Sequence, residues 1–115
     1  MQLLLAPGFR KDFEKLPDEV RAEFKANWAE DNAGRLIDGH FTARLRGSKL
    51  IPLDGFECLA GKSKMYLGGS EDDDGGFRLV FQQSGNTVLA IAAGTRRGMA
   101  VYKAARERLK ALSTI

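Results

Sequence analysis

Arg78, Arg96 and Tyr102 are the residues whose types and spacing suit chemistry on a polyanion. Arg78 stands in the run Gly-Phe-Arg-Leu-Val-Phe at 76–81, and Arg96 in Gly-Thr-Arg-Arg-Gly-Met-Ala-Val-Tyr at 94–102, which ends on Tyr102. A guanidinium is always charged and presents N–H groups in a planar fork that grips phosphate oxygens two at a time. Guanidinium groups beside an aromatic ring fit a polyanion better than a small neutral ligand. From Arg78 to the end the only acid is Glu107, so the last third of the chain is strongly basic. A basic stripe of this kind is the electrostatic footprint of phosphate binding, although a solvated C-terminal helix has the same composition.

Two strands must position these residues. Phe77–Gln83 and Thr87–Ala93 read as a β-hairpin, with Phe77, Leu79 and Phe81 on one face and Arg78, Val80 and Gln82 on the other. A three-residue loop, Ser84-Gly85-Asn86, sets Phe81 opposite Leu89 and Leu79 opposite Ile91. That register gathers one apolar face, whereas a one-residue slip would bury Arg78. It leaves Arg78 beside Ala90 and Ala92, with Arg96 in the same parity: two guanidiniums over a shallow hollow of alanines, on the face away from the core. The competing expectation is that Arg78 pairs with a carboxylate such as Asp54 or Glu57.

Upstream, Gln2–Ala6 is a short apolar strand. Phe9, Phe13 and Leu16 form a helical stripe, Pro17 interrupts it, and Asp18 suits the N-cap of a second helix. Val20, Phe24 and Trp28 continue the stripe until Asn32-Ala33-Gly34, and the phase of Trp28 places it in the core. Phe41–Leu45, Lys49–Leu53 and Lys64–Leu67 are strand candidates, and residues 68–76 hold no apolar side chain and read as a loop. A last helix starts at Met99, with Gly98 supplying its entry turn and Tyr102, Ala105, Leu109 and Leu112 on one side. The fold class is α+β: an N-terminal strand and a helical hairpin packed on one face of an antiparallel twisted sheet, with a C-terminal helix, in a single domain over residues 1–115.

At 115 residues and 43% hydrophobic, the chain can bury one modest core; its net charge is only +3, but a pI of about 9.2 tilts it toward an acidic partner. Cys58 is the lone cysteine, so no intrachain disulfide forms. The opening apolar run is too short for a signal peptide, and no stretch is long enough to cross a bilayer, so no membrane role and a cytoplasmic location are expected. Asp72, Asp73 and Asp74 are consecutive in a glycine loop and converge poorly on a metal ion. His40 falls at a turn into a strand and Cys58 lacks an activating neighbour.

The segment 76–82 resembles the strand of RelE-type toxins in which an aromatic–arginine pair leads an apolar run. Residues 94–102 are similar to that family's glycine, arginine and valine–tyrosine in matching spacing, and 103–109 to its terminal helix. The order of elements resembles the wider RelE/ParE superfamily. The resemblance implies the toxin of a toxin–antitoxin pair: an endoribonuclease that cuts mRNA in the ribosomal A site without metal or other cofactor, the ribose 2′-hydroxyl attacking the adjacent phosphate. Its partners would be the ribosome with its mRNA and a cognate antitoxin, acidic where it covers the arginines. By position Arg78 and Arg96 match the phosphate-clamping arginines, and Tyr102 the tyrosine that orients a nucleotide. Lys62 and Lys64 have the Lys-x-Lys spacing; Lys64 is the candidate general base, with Lys62 or neither lysine as the alternatives, and a lysine in that role requires a lowered pKa. Lys62, Arg97, Lys103 and Arg106 are the remaining RNA-binding candidates. A longer glycine–acidic loop separates these lysines from Arg78 than the family's pattern has. The alternative is a ParE-like protein that inhibits DNA gyrase by binding; such relatives usually lack the full arginine and tyrosine set.

Overall fold

The computed structural model describes residues 1–28, 33–41, 47–67 and 76–113. The chain opens with strand β1 (Gln2–Leu5), followed by helices α1 (Phe9–Lys15) and α2 (Asp18–Asn27). The break between the helices has a local cause. Leu16, held before Pro17, is extended at φ −70°, ψ 147°, because a proline disfavours helical geometry in the residue preceding it. Pro17, not Asp18, occupies the N-cap position. Asp18 is instead in the first turn, where it favours the positive end of the helix dipole and pairs with Arg21. The second helix closes at Asn27, earlier than its apolar stripe suggests, and Asn32 lies outside the described residues. Trp28 leaves helical geometry yet stays buried, stacked at 5.0 Å on Phe24 and 4.9 Å on Phe41.

Short strands β2 (Gly39–His40) and β3 (Ser48–Lys49) precede β4 (Ser63–Leu67), β5 (Phe77–Ser84), β6 (Thr87–Thr95) and helix α3 (Ala100–Ser113). The expected strand at Phe41–Leu45 falls mostly on residues outside those described, as does the acidic part of the loop with Asp72, Asp73 and Asp74. The expected strand Lys49–Leu53 shrinks to two residues. Beyond it the backbone returns through Leu50, which donates to Lys62 O at 2.8 Å, and runs on irregularly to a 3₁₀ turn at Glu57–Leu59.

The sheet has six strands in the order β2-β1-β6-β5-β4-β3. It is mixed and not antiparallel throughout, because β1 runs parallel to β6, Leu3 beside Val88 and Leu5 beside Ala90. A parallel pair needs a long crossover, and here nearly the whole chain lies between the two strands. Nor do the helices share one face. The hairpin α1–α2 covers Leu3, Leu79, Phe81, Val88, Ala90 and Ala93, while α3 covers Val80, Ile91 and Ala92 from the other side with Val101, Tyr102 and Ala105. The face expected to be open therefore carries a second, smaller core.

The hairpin explains the difference. Its turn has two residues, Gly85 and Asn86, with Ser84 opposite Thr87 and Gly85 at φ 58°, a value glycine accepts without strain. The register then shifts at Val80/Phe81: Phe81 pairs with Ala90 but Val80 pairs with Ala92. Ile91 is the extra residue of a β-bulge and joins Ala92 on the α3 side. The expected pairs, Phe81 with Leu89 and Leu79 with Ile91, are replaced by Phe81 with Ala90 and Leu79 with Ala93. Ala90 belongs to the opposite layer from Arg78, which faces Gly94 across β6.

One polar clip ties the layers together at the edge of the cores. The carboxylate of Asp12 on α1 accepts from Arg108 Nη2 on α3 at 2.9 Å and from the Ala93 backbone N–H on β6 at 3.0 Å. Arg108 Nη1 also donates to Ile91 O at 2.8 Å, engaging the bulge itself.

Candidate functional site

Arg78 is the deepest polar residue described. Its side chain leaves β5 on the α3 side, the parity of Val80, and is 1% exposed. Its direct neighbour across the β4–β5 ladder is Tyr66, and the guanidinium carbon stands 4.9 Å from the centroid of that ring. Nη1 donates to Gly76 O at 3.4 Å. Lys64, two residues before Tyr66 on β4, shares its face by the alternation of a strand. Its ammonium lies 5.3 Å from the same ring centroid. Tyr66 is thus bracketed by two cations.

Arg96 follows the last residue of β6 in helical geometry and is solvent-exposed. The bulge brings it round to the side of Arg78, since Ala92, Gly94 and Arg96 continue one parity after Ile91. A 3₁₀ turn at Arg97–Met99 then starts α3, with Gly98 at φ 60° as the sequence suggested and Met99 also left-handed at φ 61°. This sharp entry sets Tyr102 in the first turns of α3, against the sheet and 6% exposed.

These elements enclose a hollow of about 470 Å3, within the range of about 300–1,000 Å3 typical of ligand clefts. Lys64, Arg78, Arg96 and Tyr102 all line it, together with Tyr66 and Lys49. Its apolar wall comes from the irregular segment after β3, with Leu50, Leu53, Phe56 and Leu59, and not from Ala90 and Ala92. Ile51, 80% exposed, and Leu53, 50% exposed, stand at its mouth. Neither Asp54 nor Glu57 is in the lining, and Glu57 accepts from Gly55 N at 3.1 Å instead. Among the described residues the lining holds the cations Lys49, Lys64, Arg78 and Arg96 and no carboxylate or histidine.

The electrostatic result is clearest at Tyr66. Hydrogen bonding to Lys64 is the largest influence on its phenol; burial opposes it next, and the charge of Lys64 with the hydrogen bond and charge of Arg78 leave the pKa below the ordinary tyrosine value of 10.0.

The other basic candidates lie elsewhere. Arg97 and Lys103 are exposed outside the lining, and Lys62 is partly buried just before β4. Arg106 acts as a strap: it donates to Gly55 O at 3.0 Å and stacks on Phe56 at 4.7 Å, tying the wall segment to α3. His40 and Cys58 are exposed and outside the lining. Sequence reasoning missed Tyr66 and Lys49. Tyr66 had a signal, because a strand residue two positions from Lys64 must share its face; Lys49 had none, since its approach depends on how the short β3 pairs.

Chemically, the hollow can hold a phosphate among forked and point cations, with two phenol rings for base stacking or proton transfer. Among the described residues no three His, Cys, Asp or Glu side chains gather as metal ligands, and no helix is long and apolar enough to cross a membrane. No protein-family model, curated protein or solved structure matches the chain.

Proposed function

We propose that this chain is a RelE-like toxin: a ribosome-dependent endoribonuclease that cleaves mRNA by attack of a ribose 2′-oxygen on the adjacent phosphate, neutralised by a cognate antitoxin. The observation that carries this reading is the convergence of Lys64, Arg78, Arg96 and Tyr102 with Lys49 and Tyr66 on one hollow without a carboxylate in its described lining. Such a site attracts and keeps a phosphodiester, and a carboxylate-bearing partner segment is the complementary inhibitor.

The geometry supports a role for each of these residues. Arg78, fixed by burial and by the Tyr66 ring, is a preorganised donor to the nonbridging oxygens, where charge builds as the five-coordinate phosphorus forms. Arg96, at the exposed rim, closes on the phosphate from the solvent side. Tyr102 offers a ring against which a splayed base stacks, and Ile51 and Leu53 extend that apolar rim. The 2′-hydroxyl must lose a proton and the departing 5′-oxygen must gain one; Lys64, in the lining, is a group able to take part in that exchange.

The test uses the full chain with programmed ribosomes, followed by mapping of transcript ends. Cleavage that disappears in Arg96→Ala, at an exposed position, while the variant keeps the parent's circular dichroism and thermal melt, supports the proposal. Intact transcripts together with altered plasmid supercoiling would refute it in favour of gyrase binding.

A further inference from the structure

We propose that the Tyr66 phenolate is the general base, taking the proton of the ribose 2′-hydroxyl, and that Lys64 is the acid, returning a proton to the 5′-oxygen. This rests on the nuclease reading above. In the step, the 2′-O–H bond breaks and its proton passes to the phenolate oxygen. The 2′-oxygen then bonds to phosphorus, the bond from phosphorus to the 5′-oxygen breaks, and Lys64 protonates that oxygen. The products are a 2′,3′-cyclic phosphate and a 5′-hydroxyl, with no oxidant or further reactant needed.

Placement carries the argument. Among the described residues the lining offers Ser48, Lys49, Lys64, Tyr66 and Tyr102 as groups able to move a proton, since no histidine or carboxylate is present. An ammonium has donors and no acceptor, so a lysine in its charged form suits the acid and not the base. Of the two phenols, Tyr66 is the one directly opposite Arg78 in the β4–β5 ladder, so a phosphate held by that guanidinium lies next to it. Both Lys64 and Arg78 also stand over its ring, which favours negative charge on the phenol. Among the described residues, the ionisable groups that line the hollow with it are Lys64 on its own strand, Lys49 from β3, Arg78 from β5, Arg96 beyond β6 and the Tyr102 phenol from α3. Every charge in that set is positive. The lowered phenol pKa is the expected consequence, with Lys64 its largest source.

The sign of the pH dependence follows. Activity needs the phenolate, so the rate rises with pH through the phenol's pKa, and the rising limb lies below the ordinary tyrosine value of 10.0. Removing Lys64 moves that limb upward.

Two measurements test the assignment. Ultraviolet difference titration of the full chain reads phenolate formation at its two tyrosines. One should ionise early, vanish in Tyr66→Phe and shift to higher pH in Lys64→Met. Single-turnover cleavage on programmed ribosomes should fall about 100-fold or more in Tyr66→Phe, while the affinity for a 2′-O-methyl RNA stays within about threefold, since the ring and its contacts with the cations remain. A chain grown with fluorotyrosine, whose phenol is more acidic, should move the rising limb to lower pH whether or not the phenylalanine variant folds. Tyr66→Phe cleaving within about threefold of the parent, or losing RNA affinity in step with rate, overturns the assignment alone. Absence of cleavage by the parent chain overturns the nuclease reading and the base with it.

Discussion

Asp12→Ala tests whether the three layers are locked by the Asp12–Arg108 clip. An exposed ion pair contributes about 0–1 kcal/mol, whereas breaking one side of a buried pair costs about 3–5 kcal/mol. Here Arg108 and Asp12 keep 19% and 16% of their side-chain exposure, between those limits but nearer the buried one. Asp12 also accepts the Ala93 backbone N–H, so its loss strands a strand donor as well as the guanidinium. The expected cost is about 2–3 kcal/mol, a fall in melting temperature on the order of 10 °C for a domain of this size. Arg108→Met leaves Asp12 its bond to Ala93 and should cost less. The double variant should lose less than the sum of the two, with a coupling of about 1.5 kcal/mol. Thermal melts of the four proteins decide it. Additivity within about 0.5 kcal/mol would refute the clip. Because α3 carries Tyr102 into the hollow, RNA affinity should fall in the same rank order.

Further expectations concern the backbone and the field of the site. Gly47→Ala should destabilise by about 1–3 kcal/mol in denaturant titrations, because a Cβ there would sit 2.8 Å from Lys64 O and 2.9 Å from Phe81 Cζ. The same change should reduce cleavage by shifting Lys64. Gly98→Ala should cost about 1 kcal/mol in thermal melts, since its φ of 60° is left-handed. Arg78→Lys keeps the charge but loses the fork, and single-turnover cleavage should drop at least about tenfold. RNA affinity should weaken with salt, with a log–log slope of about −1 to −3, as expected for one to four phosphate contacts on single strands.

The parts of this fold that could be read in advance were those with local periodicity. The stripes Phe9–Phe13–Leu16 and Val20–Phe24–Trp28 declare their helices, and the glycine turn at 85 declares the hairpin. The bulge at Ile91 was invisible for a physical reason. Residues 88–93, Val-Leu-Ala-Ile-Ala-Ala, are apolar throughout, because α1–α2 cover one side of β6 and α3 the other. No alternation survives to fix the phase. Pairing of β1 with β6 joins the two ends of the chain and leaves no local trace. The site was legible in its charged members and not in its walls: Arg78 and Arg96 announce themselves by type. Leu50, Leu53 and Phe56 reach the hollow along an irregular path held by Arg106.

Ile91 makes β6 behave as a strand with a phase offset built into its middle. Before it, even-numbered residues look toward the helical hairpin; after it, they look toward α3 and the hollow. The side on which Arg96 emerges is thus decided five residues upstream, by a residue outside the lining of the hollow. Deleting Ile91 would keep every charge in the chain and hand the place of Arg96 to its neighbours in sequence, taking one cation out of the lining of the hollow. In an alignment of relatives, the length between the hairpin turn and the arginine therefore carries as much meaning as the arginine itself.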